Sequence, residues 1–488
     1  MKTKTTTDTS KNFILLSLCT FILLTIYFVI INPIPIFDTD DWEYIHNIRI
    51  PVPMVRVWNP IKVFPEFTQP IISYIGSGIF LPLTNDFCRS LTISHGIFIS
   101  LILTLYFYEF FILIYKKISS DKFVYIPTGI LFFLLHFIIF LQLWGNNKTM
   151  FYSYDLTCIY NYTLPTALNA ALVMRLITNG GIEYINKNTT KIKFIVVLVW
   201  IYFALNSNLY SSIVLAAYIS CEIILTALPE ILAKSFVFKS FFNKHKIGIY
   251  TIGYWLFSHI LEKTGMRSGS RVGTIPTNIV LTFINLFKNL LFINVFVLIF
   301  ALLTFIFWLK KCHKNMSAIK KLIICLFITT AYIYLLSVVV NPSYINRIDV
   351  IFSIAFWILM GFMACFAKLL KTNKRYIFTP VILLGSIFML FSSTSSIFAP
   401  VNYANLNYEK NNRVLADIIS QFKEAESNGI SEIDLVVPEF DTEDNWPIAT
   451  YGKDRIALAL YKHNVIHIKV NVRQMVVSKE KTKELIEN

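Results

Sequence analysis

The chain has 488 residues, of which 55% are hydrophobic and 16% aromatic, and its mean hydropathy is +0.60. Ordinary soluble domains contain about 45 to 50% apolar residues. This composition therefore excludes an ordinary soluble domain and predicts a membrane protein. The net charge is +15, but residues 401–488 carry 11 Lys and Arg against 14 Asp and Glu, a net charge of −3. The positive charge therefore lies among the membrane segments, where it orients helices, and we expect no nucleic-acid partner.

Apolar runs long enough to cross a bilayer recur along the chain. A bilayer core about 30 Å thick needs roughly 20 apolar residues per helix. The first run is longer than a signal-peptide core and has no small-residue cleavage site, so we expect it to be retained. The rule predicts eleven spans, at 13–36, 91–115, 123–143, 164–179, 193–207, 210–230, 247–261, 288–309, 321–340, 348–369 and 376–397.

Lys and Arg concentrate in alternate connections between these spans. The basic segments are the N-terminal tail and the connections that follow the even-numbered spans. The positive-inside rule places these segments in the cytoplasm. An odd number of spans then places residues 398–488 outside. We therefore predict a multi-pass protein of a bacterial inner membrane, with a cytoplasmic N-terminus and a periplasmic C-terminal domain.

Four outer segments gather ionisable and aromatic side chains. The longest, 38–90, begins with an acidic cluster and is interrupted by prolines, so it predicts short interfacial helices rather than one long helix. The second, MFYSYDLTCIYNYTLP, is rich in tyrosine. The third and fourth, LEKTGMRSGSRVG and NPSYINRID, contribute arginines.

These residue types suit the transfer of a sugar from a lipid phosphate. Carboxylates can deprotonate a hydroxyl or hold a divalent cation. Arginine forks match phosphate oxygens and stabilise a phosphate leaving group. Tyrosine and tryptophan faces stack on sugar rings, and they also lie favourably at a lipid interface.

The layout resembles the GT-C superfamily of integral membrane glycosyltransferases, which use polyprenyl-phosphate-linked sugars. In that superfamily an acidic motif follows the first span, and FDTDDWEYI, residues 37–45, stands there in this chain. Length, span number and the modest outer tail are most similar to serotype-converting glucosyltransferases, which decorate the O-antigen of lipopolysaccharide. The resemblance implies a GT-C-like helical fold, a polyprenyl-phosphate sugar donor and a surface-polysaccharide acceptor. It also implies transfer of a hexose such as glucose.

The outer segments supply the predicted site residues. The predicted catalytic residues are Asp38, Asp40 and Asp41. Asp40 and Asp41 are favoured as the general base, because Asp38 lies nearest the span and fits a helix N-cap. The same cluster is where we would place a Mg²⁺ or Mn²⁺ ion. The predicted donor-phosphate residues are Arg347, Arg267, Arg271 and Arg56. The predicted sugar-contacting residues are Glu66, Trp58, Tyr152, Tyr154, Asp155, Tyr160 and Trp446. Helix capping, rim ion pairs, headgroup anchoring and an aromatic belt are the structural alternatives for these residues.

The tail predicts a small α/β domain. Apolar spacing predicts a helix over 407–430, a strand over 431–440, a helix over 455–464 and a strand over 465–477. The segment contains neither GxGxxG nor a P-loop, so a nucleotide sugar is not its expected ligand.

Two other classes of protein remain open at this stage. An O-antigen polymerase or ligase would also expose arginines and aromatic residues outside, and a lipid-linked sugar flippase or transporter would share the helical bundle. Cys88 and Cys158 both lie in outer loops, and either a disulfide or two free thiols is compatible with the sequence. Glu109, Glu222 and Arg175 lie toward the inner side, where pairing or snorkelling is expected.

Overall fold

The helices of this chain were assigned in a computed structural model that describes residues 2–141, 148–183, 185, 190–269, 271–312, 316–373, 378–391, 404 and 406–487. These residues are mostly helical. The α-helices of six or more residues are α1 Lys2–Ile26, α2 Thr39–Tyr44, α3 Val63–Ile75, α4 Phe87–Lys117, α5 Lys122–Ile138, α6 Leu164–Asn179, α7 Lys191–Leu205, α8 Leu209–Leu232, α9 Phe238–Glu262, α10 Ile275–Phe292, α11 Val295–Cys312, α12 Met316–Val339, α13 Ile348–Asn373, α14 Phe378–Leu390, α15 Tyr408–Ser427 and α16 Lys453–Lys462.

Helices occur at all eleven predicted spans, although their lengths differ. Within the described ranges, five helical stretches are long and apolar enough to cross a membrane: Lys11–Ile31, Phe87–Lys117, Leu209–Leu232, Ser317–Val339 and Ile348–Thr372. The helices α5, α11 and α14 are apolar but shorter. The chain therefore has the character of a membrane protein, and the count of eleven spans stays a prediction. The far ends of the third and eleventh predicted spans, and the boundary at 397/398, lie outside the described residues.

The eighth predicted span, 288–309, is wrong in its bounds. The structure breaks this run between α10 and α11, at Ile293 and Asn294. The side-chain oxygen of Asn294 accepts a hydrogen bond from the backbone N–H of Val297 at 3.1 Å, as an N-cap does. Its Nδ2 donates to the Leu141 carbonyl at 2.5 Å. One capping asparagine therefore starts a new helix inside an apolar run that hydropathy alone reads as continuous.

Helix α4 is central to the packing. It contacts α1, α5 and α6, and the rings of Phe110 and Phe132 stack between α4 and α5 at 3.7 Å. Glu109 on α4 pairs with Arg175 on α6 at 3.3 Å. Glu222 pairs with a lysine on α12 at 2.6 Å. The pairing expected for these ionisable residues is confirmed, and it offsets the cost of placing each charge among apolar helices.

The first outer segment folds as predicted into short pieces. Helices α2 and α3 are followed by a π-helical turn, Gly76–Phe80, and the short helix Leu81–Thr84 before α4 begins. Proline supplies part of this interruption, because Pro82 stands in the first turn of the short helix, where its missing N–H costs nothing.

The tail has the predicted helix–strand–helix–strand order. After α15, strand β1 (Glu432–Pro438) pairs in parallel with β2 (Asn471–Ser478), and α16 makes the crossover. This is a βαβ unit. The second strand begins at Asn471, six residues later than predicted, because 463–470 form a turn and a loop after α16. The helix Lys479–Thr482 follows β2. Val414, Leu415, Ile418 and Phe422 of α15 are buried, as their helical spacing predicted.

Candidate active site

A cavity of about 830 Å³ lies where the outer segments meet. Every residue that lines it belongs to one of the four predicted outer segments or to the tail, although these parts are far apart in sequence. This convergence supports their lying on one side of the helical bundle. The lining residues are Asp40, Glu43, Tyr44, Asn47, Arg49, Met54, Val57, Trp58, Asn59, Lys62, Glu66, Asp155, Thr157, Cys158, Asn161, Tyr162, Arg267, Tyr344, Arg347, Tyr451 and Arg455.

The three aspartates of the acidic motif have different local roles. Asp38 is the N-cap of α2, and its side chain accepts a hydrogen bond from the Asp40 N–H at 2.8 Å. Asp41, three residues later, completes a capping box by accepting from the Asp38 N–H at 3.3 Å. Asp40 is the member that lines the cavity. The alternative role considered for Asp38, a helix cap, is therefore its observed role.

Asp41 is buried and is occupied by hydrogen bonds. Its Oδ1 accepts from the backbone N–H of Thr157 at 2.8 Å and from the Thr157 hydroxyl at 2.7 Å. Its Oδ2 accepts from the N–H of Phe37 at 3.1 Å as well as from Asp38. Burial, strengthened by the nearby charge of Asp155, raises the pKa of Asp41 to about 7. Asp41 thus joins the acidic motif to Thr157 of the second outer segment, and it is not itself part of the cavity lining.

Asp155 is a second carboxylate at the cavity. It is the N-cap of the short helix Leu156–Cys158 and accepts a hydrogen bond from the Cys158 N–H. Burial raises its pKa to about 6, while the Cys158 hydrogen bond and the charge of Arg347 oppose that rise. A carboxyl group with a pKa near the ambient pH can take up or release a proton, which is the property that acid–base chemistry requires.

Lys62, Arg267 and Arg347 form a basic cluster at the cavity, held together by Tyr162 and Tyr344. The guanidinium of Arg347 lies 4.4 Å from the Tyr162 ring centre and 5.5 Å from that of Tyr344. Nη2 of Arg267 lies 3.4 Å from the Tyr344 hydroxyl. Nζ of Lys62 lies 6.0 Å from the Tyr162 ring centre. Aromatic faces attract cations, so the two tyrosines help to hold three positive groups together.

The members of the basic cluster differ in how far their charge is already balanced. Arg347 binds Asp349 through two parallel hydrogen bonds, Nε to Oδ1 at 3.0 Å and Nη2 to Oδ2 at 2.8 Å. Lys62 has no carboxylate within 4 Å among the described residues. Burial and the neighbouring Arg267 lower the pKa of Lys62 to about 8. An anion entering the cavity would stabilise the charged form of this lysine.

Glu66 belongs to an ion pair in the cavity wall. It binds Nη1 of Arg49 at 2.7 Å. The same guanidinium donates to the carbonyls of Asn59 and Pro60, both at 2.5 Å. Glu66 was predicted to contact sugar, and it does line the cavity. Its ion pair with Arg49 matches the structural alternative, a salt bridge that fixes the 47–60 loop.

The C-terminal domain completes the cavity. Arg455 of α16 binds Asp40 through Nη1 at 3.0 Å and approaches Glu43 through Nε at 3.5 Å. The Tyr451 ring, 5.4 Å from the Arg455 guanidinium, also faces the cavity. Between these contacts Thr39 is fastened to the tail, because its N–H donates to the Pro447 carbonyl at 3.0 Å and its hydroxyl accepts from the Ala449 N–H at 2.8 Å.

Several predicted site residues lie away from the cavity lining. Arg56 and Arg271 are exposed. Trp446 lies in the tail loop that holds Thr39, and it does not line the cavity. Tyr160 is fully buried in the bundle, where its hydroxyl lies 2.8 Å from Nδ1 of His95, so it faces the core rather than the interface.

Two further predicted tyrosines lie next to the cavity without lining it. Tyr152 is buried, and its ring centre lies 3.7 Å from Nζ of Lys148. The Tyr154 ring centre lies 5.0 Å from the Arg347 guanidinium. Both tyrosines therefore contact cations, and Tyr154 supports a residue of the basic cluster.

Other cavity residues were missed from the sequence. Lys62 follows NPI in a proline-rich stretch and has no neighbouring motif. Arg455 belongs to the predicted tail helix 455–464 without a predicted site role, and Tyr451 falls outside the predicted elements. Cys158 and Cys88 are both free thiols, which resolves the open disulfide question, and the Cys158 Sγ lies 3.1 Å from Nη2 of Arg347.

Most carboxylate oxygens of the acidic motif are engaged by protein groups in this arrangement. Both oxygens of Asp41 accept hydrogen bonds, Asp38 caps α2 and Asp40 pairs with Arg455. Across the described residues, no group of three or more His, Cys, Asp or Glu side chains is arranged to hold a metal ion. We therefore derive no catalytic step through Mg²⁺ or Mn²⁺.

Comparison with known proteins gives no relative. The chain matches no family model, no curated protein and no solved structure.

Proposed function

We propose that this chain is a membrane glycosyltransferase that moves a sugar from a polyprenyl-phosphate donor to a surface glycan on the periplasmic side of a bacterial inner membrane. A GT-C-like bundle of eleven spans and a hexose such as glucose, added to O-antigen, are the finer form of the proposal. The observation that carries it is the cavity. There a carboxylate of the acidic motif, Asp40, and the basic cluster of Lys62, Arg267 and Arg347 meet among aromatic rings.

The proposed reaction uses the two parts of the cavity differently. Asp40 accepts the proton of an acceptor hydroxyl, whose oxygen forms a bond to the anomeric carbon of the donor sugar. The bond from that carbon to the phosphate oxygen breaks, and its electron pair leaves with polyprenyl phosphate. The basic cluster stabilises the negative charge that grows on the phosphate. Arg455 orients Asp40 through their ion pair until the acceptor arrives.

Asp155 is the second candidate base, because it lines the same cavity with a pKa raised to about 6. Asp40 is preferred because it is the aspartate of the acidic motif that lines the cavity. Glu43, Tyr451 and Arg455 line it too and add hydrogen-bonding groups for an acceptor sugar. Asp41 was an equally favoured base from sequence. Its four hydrogen bonds now support a positioning role instead.

Mass spectrometry of the surface-polysaccharide repeat unit tests the proposal. Matched cells with and without the chain are compared, and we expect the repeat to gain one hexose when the chain is present. Asp40→Asn should abolish that gain at equal protein level. The control Glu480→Gln changes an exposed acid elsewhere in the tail and should keep the gain.

Other outcomes of this experiment identify the competing classes. An unchanged repeat with an altered distribution of chain lengths would point to polymerisation or ligation. No change in either property would remove glycan modification from the proposal. Full hexose addition by Asp40→Asn, combined with loss in Asp155→Asn, would transfer the role of general base to Asp155.

A further inference from the structure

The loop that follows α2 exposes a run of apolar side chains. Six of its members have between 39% and 63% of their surface exposed: Ile48, Ile50, Val52, Met54, Val55 and Trp58. The side chain of Arg49, the second residue of this sequence, is instead only 10% exposed and is bound to Glu66. We call residues 48–58 the apolar loop.

Contacts at both ends hold the apolar loop in place. At its start, the N–H of Arg49 donates to the Glu66 carbonyl at 3.3 Å. In its middle, the Pro51 carbonyl accepts from the Tyr202 hydroxyl at 2.8 Å. At its end, the Val57 carbonyl accepts from the N–H of Met266 at 3.2 Å. The apolar side chains are therefore presented by a fastened backbone, and their exposure does not come from a loose segment.

Such a surface is unfavourable in water. Apolar area costs about 25 cal/mol per Å² when water covers it, and large exposed apolar patches mark contacts with lipids or partners. The loop joins the acidic motif, which follows the apolar helical stretch Lys11–Ile31, to α3. A lipid environment is the occupant that both its position and its composition fit.

The apolar loop is continuous with the cavity. Met54, Val57 and Trp58 belong both to the loop and to the cavity lining. The Trp58 ring centre lies 5.8 Å from the guanidinium of Arg267, a member of the basic cluster. One surface thus runs from exposed apolar side chains, past Trp58, to positive groups. An amphiphile with an anionic head and a long hydrocarbon chain has this same order of chemistry.

We propose that the apolar loop is the binding surface for the isoprenyl chain of the lipid donor, with its phosphate at the basic cluster and its first isoprene units against Met54, Val57 and Trp58. This inference deepens the proposed function and rests on it. It adds a specificity: the chain should distinguish long isoprenyl phosphates from short ones through the loop, independently of the recognition of phosphate.

Equilibrium binding of two isoprenyl phosphates to the purified full-length chain in nanodiscs tests this inference. Undecaprenyl phosphate and farnesyl phosphate share the head group and differ in chain length. We expect the wild type to bind the longer lipid more tightly. In the double variant Ile50→Ser/Val52→Ser, that preference should fall about tenfold. This is the effect of losing about 30 Å² of apolar contact with the lipid at each of the two side chains. Affinity for farnesyl phosphate should change less than twofold.

Three control variants separate chain recognition from other effects. Leu83→Ser changes an exposed apolar residue of the same outer segment away from the cavity and should leave both affinities unchanged. Ile50→Phe keeps an apolar surface and should keep the preference, which guards against loss of fold as the explanation. Arg267→Ala should weaken both lipids alike, because it removes a phosphate contact and no chain contact.

The possible failures can be told apart. An unchanged preference in the double serine variant overturns the inference while leaving the lipid-phosphate donor in place. An equal loss of affinity for both lipids in this variant would make the loop a support for the fold or for membrane placement rather than a chain-binding surface, which also overturns it. If the wild type binds neither phosphate, the proposed donor itself is wrong.

Discussion

Asp41 is expected to hold the acidic motif together rather than to exchange a proton with substrate, and Asp41→Asn tests this. The amide keeps one oxygen, which can continue to accept from Thr157. Its NH₂ group then replaces the oxygen that accepts from the N–H groups of Phe37 and Asp38. The buried N–H groups of Phe37 and Asp38 would therefore point at the NH₂ group of the asparagine, which is itself a donor, and would lose their acceptor.

The expected cost follows from these contacts. Leaving a buried donor unsatisfied costs about 1–3 kcal/mol, so two such donors give about 2–6 kcal/mol of destabilisation. Asp40→Asn provides the matched control on the neighbouring residue. It weakens a partly exposed ion pair with Arg455, and such pairs contribute about 0.2–1 kcal/mol. The two substitutions are chemically identical, so their difference reports the environment.

Thermal unfolding of the purified chain in detergent measures the effect. Asp41→Asn should lower the apparent melting temperature several-fold more than Asp40→Asn. Hydrogen exchange should lose protection at Phe37 and Asp38 in the first variant alone. Equal melting temperatures, with exchange at these amides unchanged, would refute the view that Asp41 carries this part of the structure. Asp41 would then have to be reconsidered as a catalytic group.

Two further predictions concern the contact between the tail and the acidic motif. His463 lies 3.0 Å from the Ile45 carbonyl through Nε2 and 2.8 Å from the Ser77 hydroxyl through Nδ1, and burial lowers its pKa to about 4. Its contribution is present above the unfolded pKa near 6.5 and is lost as pH falls toward 4, by about 2 kcal/mol at pH 5. Proteolysis of the tail should therefore speed up between pH 7 and pH 5, and much less in His463→Gln; equal acceleration in both would contradict this. Gly452→Ala should also loosen the tail, because its added Cβ would lie 2.4 Å from the Thr39 methyl carbon, whereas Gly253→Ala meets nothing within 4 Å and should leave tail proteolysis unchanged. Equal tail proteolysis in Gly452→Ala and the wild type would contradict the packing.

The sequence predicted features that depend on averages over many residues. A run of some twenty apolar residues predicts a helix without knowledge of which other helices pack against it. Helices accordingly occur at all eleven predicted spans. The order of the tail elements follows from period and length in the same way. The four segments that the alternation of basic connections groups together line a single cavity, while the side of the membrane on which they lie stays a prediction.

Features set by a single contact could not be predicted in this way. Asp40 and Arg455 are 415 positions apart, and neither residue type shows that the other is its partner. The break at Asn294 depends on one capping side chain, which a hydropathy average does not register. A local signal for Asp41 did exist, because an acid three residues after an N-cap predicts a capping box and thus a carboxylate directed back at the helix start.

Four consecutive residues of the acidic motif have four different structural roles at the start of α2. Asp38, Thr39, Asp40 and Asp41 occupy the N-cap and the first three helical positions of α2, so helical geometry directs each side chain differently. One caps the helix, one binds the tail, one faces the cavity and one binds the second outer segment. The three carboxyl groups lie together at the N-terminus of α2. Thr39 is hydrogen-bonded to the tail, and the adjacent Asp40 both lines the cavity and pairs with Arg455 of the tail. A movement of the tail would therefore disturb the carboxylate that we propose as the base. The tail is thus a wall of the site, to which it contributes Tyr451 and Arg455.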